Sequence, residues 1–323
     1  MTKRLKSAKI KYLGNCSENI AILQQKPGFP GRRFVMNSQF ENRRWPYVIA
    51  WPFMQIIVLF VFIKKKIFAA CGLELKINSL FYDGLGETCK KLKDTHGSAH
   101  SMHEIYNFKF GKAKGVGGLI GDFHQSCLNC QAVRNRFRMD KQKIGLILDL
   151  LPKSAETEIR ILSLACGTGQ ALIEAMSERQ DRRVKALFVD HDAVSLEIAR
   201  NIARQHSLED RIEFVDGNAF EVESLCQNFK PHIVEVVGLM EYLLDEETIE
   251  LVKRIRNVLM PNGFLITSNI RKNLETRFVT WVIDWPMVYR EPIQLENVLY
   301  SGGFVDVSMN HEPLGIHALA TAR

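Results

Sequence analysis

A short apolar run that ends in glycines, residues 160–170, constrains the fold of this chain more than any other feature. Residues 161–164 are mostly apolar, as is typical of a buried parallel strand, and small residues follow up to Gly169. Apolar side chains then recur at helical spacing, which predicts a helix after the turn. Glycine allows a ligand to approach the backbone closely, so Gly167 and Gly169 indicate a nucleotide-binding corner.

A second apolar strand supports this interpretation. Residues 184–189 precede Asp190, which lies about twenty residues beyond the glycines, where a ribose-binding carboxylate belongs. The nicotinamide-binding alternative requires a third glycine three positions after Gly169, but Leu172 occupies that position. The pattern therefore argues against a nicotinamide-dependent dehydrogenase.

The run Cys166-Gly167-Thr168-Gly169, followed by a strand that ends in Asp190, resembles the class I S-adenosylmethionine-dependent methyltransferases. The resemblance extends from about residue 161 to residue 268, and the remaining residues fit a final hairpin. It implies an α/β fold with a seven-stranded Rossmann-like sheet, helices on both faces and an N-terminal helical cap. It also implies S-adenosylmethionine as the cofactor, and no metal.

The resemblance supplies candidate cofactor-binding residues, three of which depart from the family pattern. Ser163 replaces the usual acid of the first strand, so the amino group of the donor's methionine moiety must be bound by a backbone carbonyl or another side chain. Ala165 replaces the first glycine. Asn218 stands where an acid usually accepts from the adenine amino group, although its amide oxygen can also accept. The full set of candidates is Ser163, Ala165, Gly167, Gly169, Asp190, His191, Asn218, Ala219 and Gly238.

Three residues are candidates for catalysis: Glu241, Tyr289 and Arg290. Glu241 follows the fourth strand, whose carboxyl end should face the transferable methyl group. Tyr289 and Arg290 follow a proline and offer a hydroxyl and a cation to the acceptor. Glu241 or Tyr289 would orient or deprotonate the acceptor, and a structural role for either stays equally open.

The expected reaction is methyl transfer to a small-molecule or lipid-like acceptor. The sequence leaves open whether oxygen, nitrogen or carbon receives the methyl group, and it does not indicate the oligomeric state. The alternative is a catalytically inactive donor-binding or scaffold protein with the same fold, which the departures at Ser163 and Asn218 favour.

We expect three segments: a basic extension over residues 1–72, a helical cap over 73–152 and the methyltransferase domain over 153–323. Residues 45–63 carry no charge and approach the length of a membrane span, but they contain two prolines. They form either a membrane anchor or a buried, interfacial or detached segment. The expected location is cytoplasmic, with membrane association left open.

Charge distribution argues against a nucleic-acid substrate. The chain carries a net charge of +7, but residues 1–76 hold 14 Lys or Arg against 3 acids, whereas the segment with the glycine turn is acidic. The lone pair Cys127 and Cys130 is interpreted as small helical residues rather than a metal or redox site. The basic residues Arg134, Arg136 and Arg138 are interpreted as a solvated helix face, with an acidic substrate group as the alternative.

Overall fold

A single mixed sheet forms the centre of the fold. The computed structural model describes residues 40–75, 78–79, 87–95, 97–112, 114–151, 158–180 and 183–323. Its strands are β1 (Ile159–Leu164), β2 (Val184–Asp190), β3 (Ile212–Asp216), β4 (Ile233–Val236), β5 (Phe264–Ile270), β6 (Val307–His311) and β7 (His317–Ala322). The spatial order is β3-β2-β1-β4-β5-β7-β6. The predicted seven-stranded sheet is confirmed.

The direction of the strands determines where a ligand can bind. Strands β1 to β5 are parallel, and β7 lies antiparallel between β5 and β6. The strand order reverses between β1 and β4, which creates a crevice at the carboxyl ends of the strands. Because β7 is antiparallel, its first residue, His317, pairs with Ile270 at the carboxyl end of β5. The start of β7 therefore borders the same edge as the glycine turn.

Helices cover the sheet and precede it. Those before β1 are α1 (Trp45–Ala70), α2 (Glu87–Asp94), α3 (Ala99–Tyr106), α4 (Gly115–Gln125) and α5 (Leu128–Leu150). Those between and after the strands are α6 (Gln170–Ser177), α7 (Ala193–Gln205), α8 (Val222–Leu225), α9 (Asp245–Val258), α10 (Thr276–Trp281) and α11 (Pro292–Ser301). The helices α2 to α5 fall within the predicted cap, and α5 packs on β5, β7 and α6.

Helix α1 contains the uncharged segment 45–63. It buries Met54, Val58 and Val61 against Phe278 and neighbouring apolar residues, so part of its surface belongs to a small core. Many of its large apolar side chains are nevertheless exposed: Val48, Ile49, Phe53, Ile56, Leu59, Phe60, Ile63 and Ile67. No helix in the described part of the chain combines the length and hydropathy of a membrane span. Residues 1–39 of the predicted basic extension lie outside the described residues.

Helix α5 corrects the interpretation of the three arginines as a solvated face. Arg134 is 4% exposed and Arg136 is 6% exposed, so both are buried, and Arg138 is half-buried. The Arg134 guanidinium binds both carboxylate oxygens of Glu41, with Nε to Oε1 at 2.7 Å and Nη2 to Oε2 at 2.8 Å. Arg138 Nη2 donates to Glu41 at 3.0 Å. The prediction failed because acids distant in sequence, the half-buried Glu41 and the buried Glu241, face these cations.

Candidate active site

The glycine turn between β1 and α6 has an unusual backbone conformation that leaves its backbone accessible to a ligand. Three of its residues have positive φ: Ala165 at 49°, Gly167 at 53° and Gly169 at 57°. A Cβ built on Gly167 would meet nothing within 4 Å, so an approaching ligand finds space there. A Cβ on Gly169 would lie 2.0 Å from the Phe188 ring, so only glycine fits. We call residues 165–169 together with Asp190 the donor corner.

Asp190 lies against the glycine turn, as the spacing predicts. Its Oδ2 accepts from the backbone N–H of Gly167 at 2.8 Å, and its Oδ1 accepts from that of Asp192 at 3.0 Å. Each carboxylate oxygen has further lone pairs, and the side chain is 6% exposed beside the cavity described next. These hydrogen bonds hold the carboxylate at the edge of the corner, where it can accept hydrogen bonds from the hydroxyl groups of a ligand.

A cavity of about 440 Å³ opens from the donor corner toward the helices that precede the sheet. Its wall combines the corner with apolar residues of α3, α5 and α10, including Met102, Ile105, Val133 and Phe278. Among the predicted cofactor residues, it is lined by Ala165, Gly167, Asp190, His191 and Gly238. The other four, Ser163, Gly169, Asn218 and Ala219, are not among its described lining residues.

The four remaining residues have identifiable local roles. Gly169 precedes α6 and packs on Phe188. The Asn218 Oδ1 accepts from the backbone N–H of Phe220 at 3.0 Å and caps the short helical turn that includes Ala219. Ser163 is fully buried in β1 and donates to Glu235. Their binding of a cofactor stays a prediction.

Four polar residues meet beside the cavity, and we call them the buried polar cluster: Arg136, Glu241, Ser268 and His317. Glu241 Oε1 accepts from Arg136 Nη1 at 3.1 Å and from Ser268 Oγ at 3.1 Å. Burial lowers the pKa of Arg136, but the Glu241 carboxylate together with Tyr106 and Tyr242 outweighs that effect, and the pKa rises. Glu241 is 2% exposed, so its charge is neutralised by a buried partner rather than by water.

His317 completes the cluster. Its Nδ1 lies 3.8 Å from Glu241 Oε1, and neither ring nitrogen has a hydrogen-bond partner of normal geometry among the described residues. Burial, followed by the nearby Arg136 guanidinium, lowers the pKa of His317 well below its usual range. The imidazole is therefore neutral at physiological pH, and the residue borders the cavity.

A second group of acids lies beside the cluster, and we call Asp140 and Glu235 the carboxyl pair. Glu235 of β4 is in register with Ser163 of β1, so the two side chains share one face of the sheet. Asp140 lies one turn after Arg136 on α5 and shares a hydrogen bond with Glu235. Burial and the Glu235 carboxylate raise the pKa of Asp140 well above its usual range. Burial likewise raises the pKa of Glu235.

The other two candidates for catalysis do not line the cavity in the described part of the chain. Arg290 is 2% exposed, and its guanidinium donates to Asp245 Oδ1 at 2.6 Å and to the carbonyl oxygen of Met240 at 2.6 Å. It thereby holds the loop that carries Glu241. Tyr289 packs on Ile270 and Ile316. A direct role for either residue in acceptor binding stays a prediction.

The two cysteines of interest, Cys127 and Cys130, both border the cavity and are buried. Burial raises the pKa of the Cys130 thiol to about 12, so at neutral pH the thiol is uncharged and forms part of the apolar lining. No group of three or more potential metal ligands occurs in the region that the structure covers.

Several site residues were missed by sequence reasoning. Glu235 had a usable signal, because it is the only charged residue within the apolar run 233–237. Asp140 and His317 had none, since an acid in a charged helix and a histidine near a turn are ordinary. Only the packing of α5 and β7 brings them to the site.

The fold and the donor corner together define a class I S-adenosylmethionine-dependent methyltransferase. The residues fit this cofactor because the turn leaves open space at Gly167, Asp190 offers acceptor oxygens, and a cavity adjoins both. In this fold, Asp190 and the backbone of the turn would hold the adenosine part. The bound cofactor supplies an activated methyl group.

Comparison with known proteins identifies the family. Residues 55–323 match the family model described as "Putative methyltransferase", and the chain belongs to that family. The sequence is 28% identical over 126 residues to the protein-lysine N-methyltransferase efm4 of Schizosaccharomyces pombe, covering 36% of this chain. The chain spans 53% of the length of that curated relative.

A solved structure shares the fold. A protein of Bordetella parapertussis, described as a possible exported protein, superposes with a TM-score of 0.63 at 17% identity, and the match covers 84% of this chain and 95% of that protein. At this identity the likeness shows the fold alone. Human N-acetylserotonin methyltransferase, solved with S-adenosylmethionine, gives a TM-score of 0.44 at 17% identity, with 73% and 69% of the two chains covered.

Proposed function

We propose that this chain is an active enzyme that transfers a methyl group from S-adenosylmethionine to a small, largely apolar acceptor. The observation that carries the proposal is the cavity, which joins the donor corner to the buried polar cluster beneath α3 and α5. Apolar walls with a few convergent polar groups are typical of sites for small molecules. A lipid-like acceptor would fit the same chemistry, and membrane association through residues 45–63 stays a prediction.

The sulfonium of the bound cofactor makes its methyl carbon electrophilic, so transfer needs alignment and exclusion of water. The apolar wall of Met102, Ile105 and Phe278 excludes water from the acceptor. His317 takes a proton from the acceptor, because its imidazole is neutral and the residue borders the cavity. Glu241 stabilises the imidazolium that forms, and the ion pair with Arg136 holds Glu241 in place.

A binding measurement followed by a turnover assay tests the proposal. The purified chain should bind S-adenosylhomocysteine in calorimetry and gain thermal stability with it. It should then methylate members of a panel of small phenols, carboxylic acids and fatty acids, detected by mass spectrometry with labelled donor. Lysine-containing peptides form the matched panel for a protein acceptor, since the curated relative methylates protein lysine.

The alternative is a donor-binding or scaffold protein without activity. Ser163 and Asn218, which replace two acids of the family pattern, favour that alternative. It predicts binding of S-adenosylhomocysteine without turnover of any panel member, or no binding at all. Methylation of peptides alone would instead contradict the small-molecule acceptor while leaving the enzyme class intact.

A further inference from the structure

We propose that the carboxyl pair, Asp140 and Glu235, binds the amino group of the cofactor's methionine moiety and exchanges a proton for it. The inference deepens the proposed function and rests on the chain binding S-adenosylmethionine. It assigns to β4 and α5 a contact that the first strand cannot make, since Ser163 has no charge.

The strand register places a carboxylate where β1 lacks one. Ser163 and Glu235 are paired residues of neighbouring parallel strands, so their side chains project from the same face at the same height. The Ser163 hydroxyl donates to Glu235 Oε2 and holds the carboxylate beside β1. The acid that the family pattern places on β1 is therefore replaced by an acid on the neighbouring strand β4.

The pair lies next to residues that line the cavity, although neither acid is itself among the described lining residues. The charge of Glu235 acts on Tyr106, Arg136 and Cys166, all of which line the cavity next to the donor corner. Glu235 retains 8% exposure, and one oxygen of Asp140, which is 2% exposed, has no hydrogen-bond partner in the described structure. A buried acceptor without a partner is costly, and an ammonium group would satisfy it.

Charge balance at this end of the cavity also points to a cation. Three buried acids, Asp140, Glu235 and Glu241, face one guanidinium, that of Arg136, which Glu241 already engages. His317 contributes no charge because its pKa is lowered. The pair avoids two adjacent negative charges by keeping a proton on Asp140, consistent with its raised pKa.

The exchange follows from these contacts. When the ammonium group enters, it donates hydrogen bonds to both carboxylates, and the proton held by Asp140 leaves to solvent. The ammonium charge lowers the pKa of the pair, so binding releases about one proton at neutral pH. The groups that face the pair and modulate this titration are Ser163, Arg136, Tyr106 and Cys166.

Two ligands distinguish the contact to the amino group from the contacts to the rest of the cofactor. S-adenosylhomocysteine carries the amino group, whereas methylthioadenosine has the same adenosine and thioether but no amino acid part. Calorimetry should show both binding to the wild-type chain. Glu235→Gln should weaken S-adenosylhomocysteine on the order of 10- to 100-fold and methylthioadenosine less than about 2-fold. Glu213→Gln, an exposed acid of β3, is the matched control and should change neither.

Proton release provides an independent readout. Titration of S-adenosylhomocysteine in two buffers of different ionisation enthalpy should report release of about one proton for the wild type. Release should vanish for Asp140→Asn and for methylthioadenosine. Retained methylthioadenosine binding shows that each variant is folded.

The outcomes are distinguishable. If the wild type binds neither ligand, both the proposed function and this inference fail. If it binds both and Glu235→Gln weakens both equally, or weakens neither, the carboxyl pair is structural and the inference alone is overturned.

Discussion

The donor corner and the buried polar cluster are built in different ways. The donor corner uses backbone groups and one carboxylate, and the residues of its central hydrogen bond, Gly167 and Asp190, are 23 positions apart in sequence. The cluster uses charged side chains, and Arg136 and Glu241 are 105 positions apart. Backbone geometry near a strand makes the corner a local property, whereas the cluster exists only after α5, β4, β5 and β7 have packed. The two regions should therefore respond differently to mutation.

The largest effect is expected in the cluster. Arg136→Met removes the partner of the buried Glu241 charge and should destabilise the fold by about 3–5 kcal/mol in urea unfolding. The double variant Arg136→Met with Glu241→Gln removes both charges and should recover at least about 1 kcal/mol relative to the single change. A single change that costs less than about 1 kcal/mol would show that the cluster is as tolerant as a surface ion pair.

In the donor corner, two glycines form a matched pair. Gly169→Ala places a methyl group against Phe188 at a positive φ, and we expect a loss of roughly 3–4 kcal/mol from overpacking and backbone strain. Gly167→Ala meets open space and should lose only about 1–2 kcal/mol from its φ. Chemical denaturation of both variants measures the difference, and equal losses would rule out packing on Phe188 as the reason for Gly169.

The pH dependence of stability reports on the buried histidines. Burial, then Arg134, lowers the pKa of His124 to about 4 from 6.5, and His124 lines the cavity. Between these pKa values the unfolded chain binds a proton that the folded chain excludes. The free energy of unfolding therefore decreases as the pH is lowered, by up to about 3 kcal/mol. The loss begins below about pH 6.5 and is complete near pH 4.

His124→Asn should flatten this part of the profile, measured by urea unfolding across the range. His317 has a lowered pKa as well and adds a loss of the same sign. An unchanged slope in the His124 variant would mean that the imidazole is not excluded from protonation in the fold.

The smallest effect belongs to the donor corner. Ala165 adopts φ of 49°, where a Cβ costs about 1–2 kcal/mol. Ala165→Gly relieves that strain but gains freedom in the unfolded chain, so we expect a net stabilisation of about 0.5–1 kcal/mol. Ala171→Gly, in the first turn of α6, is the control and should instead lose about 1 kcal/mol. Thermal unfolding of the two variants should shift in opposite directions.

The difference between the donor corner and the buried polar cluster explains which features could be predicted from the sequence. The strands around the glycine turn and the approach of Asp190 to Gly167 follow from apolar periodicity and spacing, because each depends on a few neighbouring residues. The seven-stranded sheet follows from the family resemblance. The burial of Arg134 and Arg136 does not, since a helix that carries basic residues is usually solvated. Their partners Glu41 and Glu241 come from distant segments, and no periodicity reports which face of α5 will meet them.

The position of β7 has a consequence for biosynthesis. Strand β7 is made after every other strand of the sheet, yet it sits between β5 and β6 and carries His317 to the cavity. A nascent chain emerging from the ribosome can close the turn at Gly167 on Asp190 well before residue 317 exists. The contact between Gly167 and Asp190 can thus form during translation, whereas the residue proposed to remove the proton is in place only after the last strand has inserted.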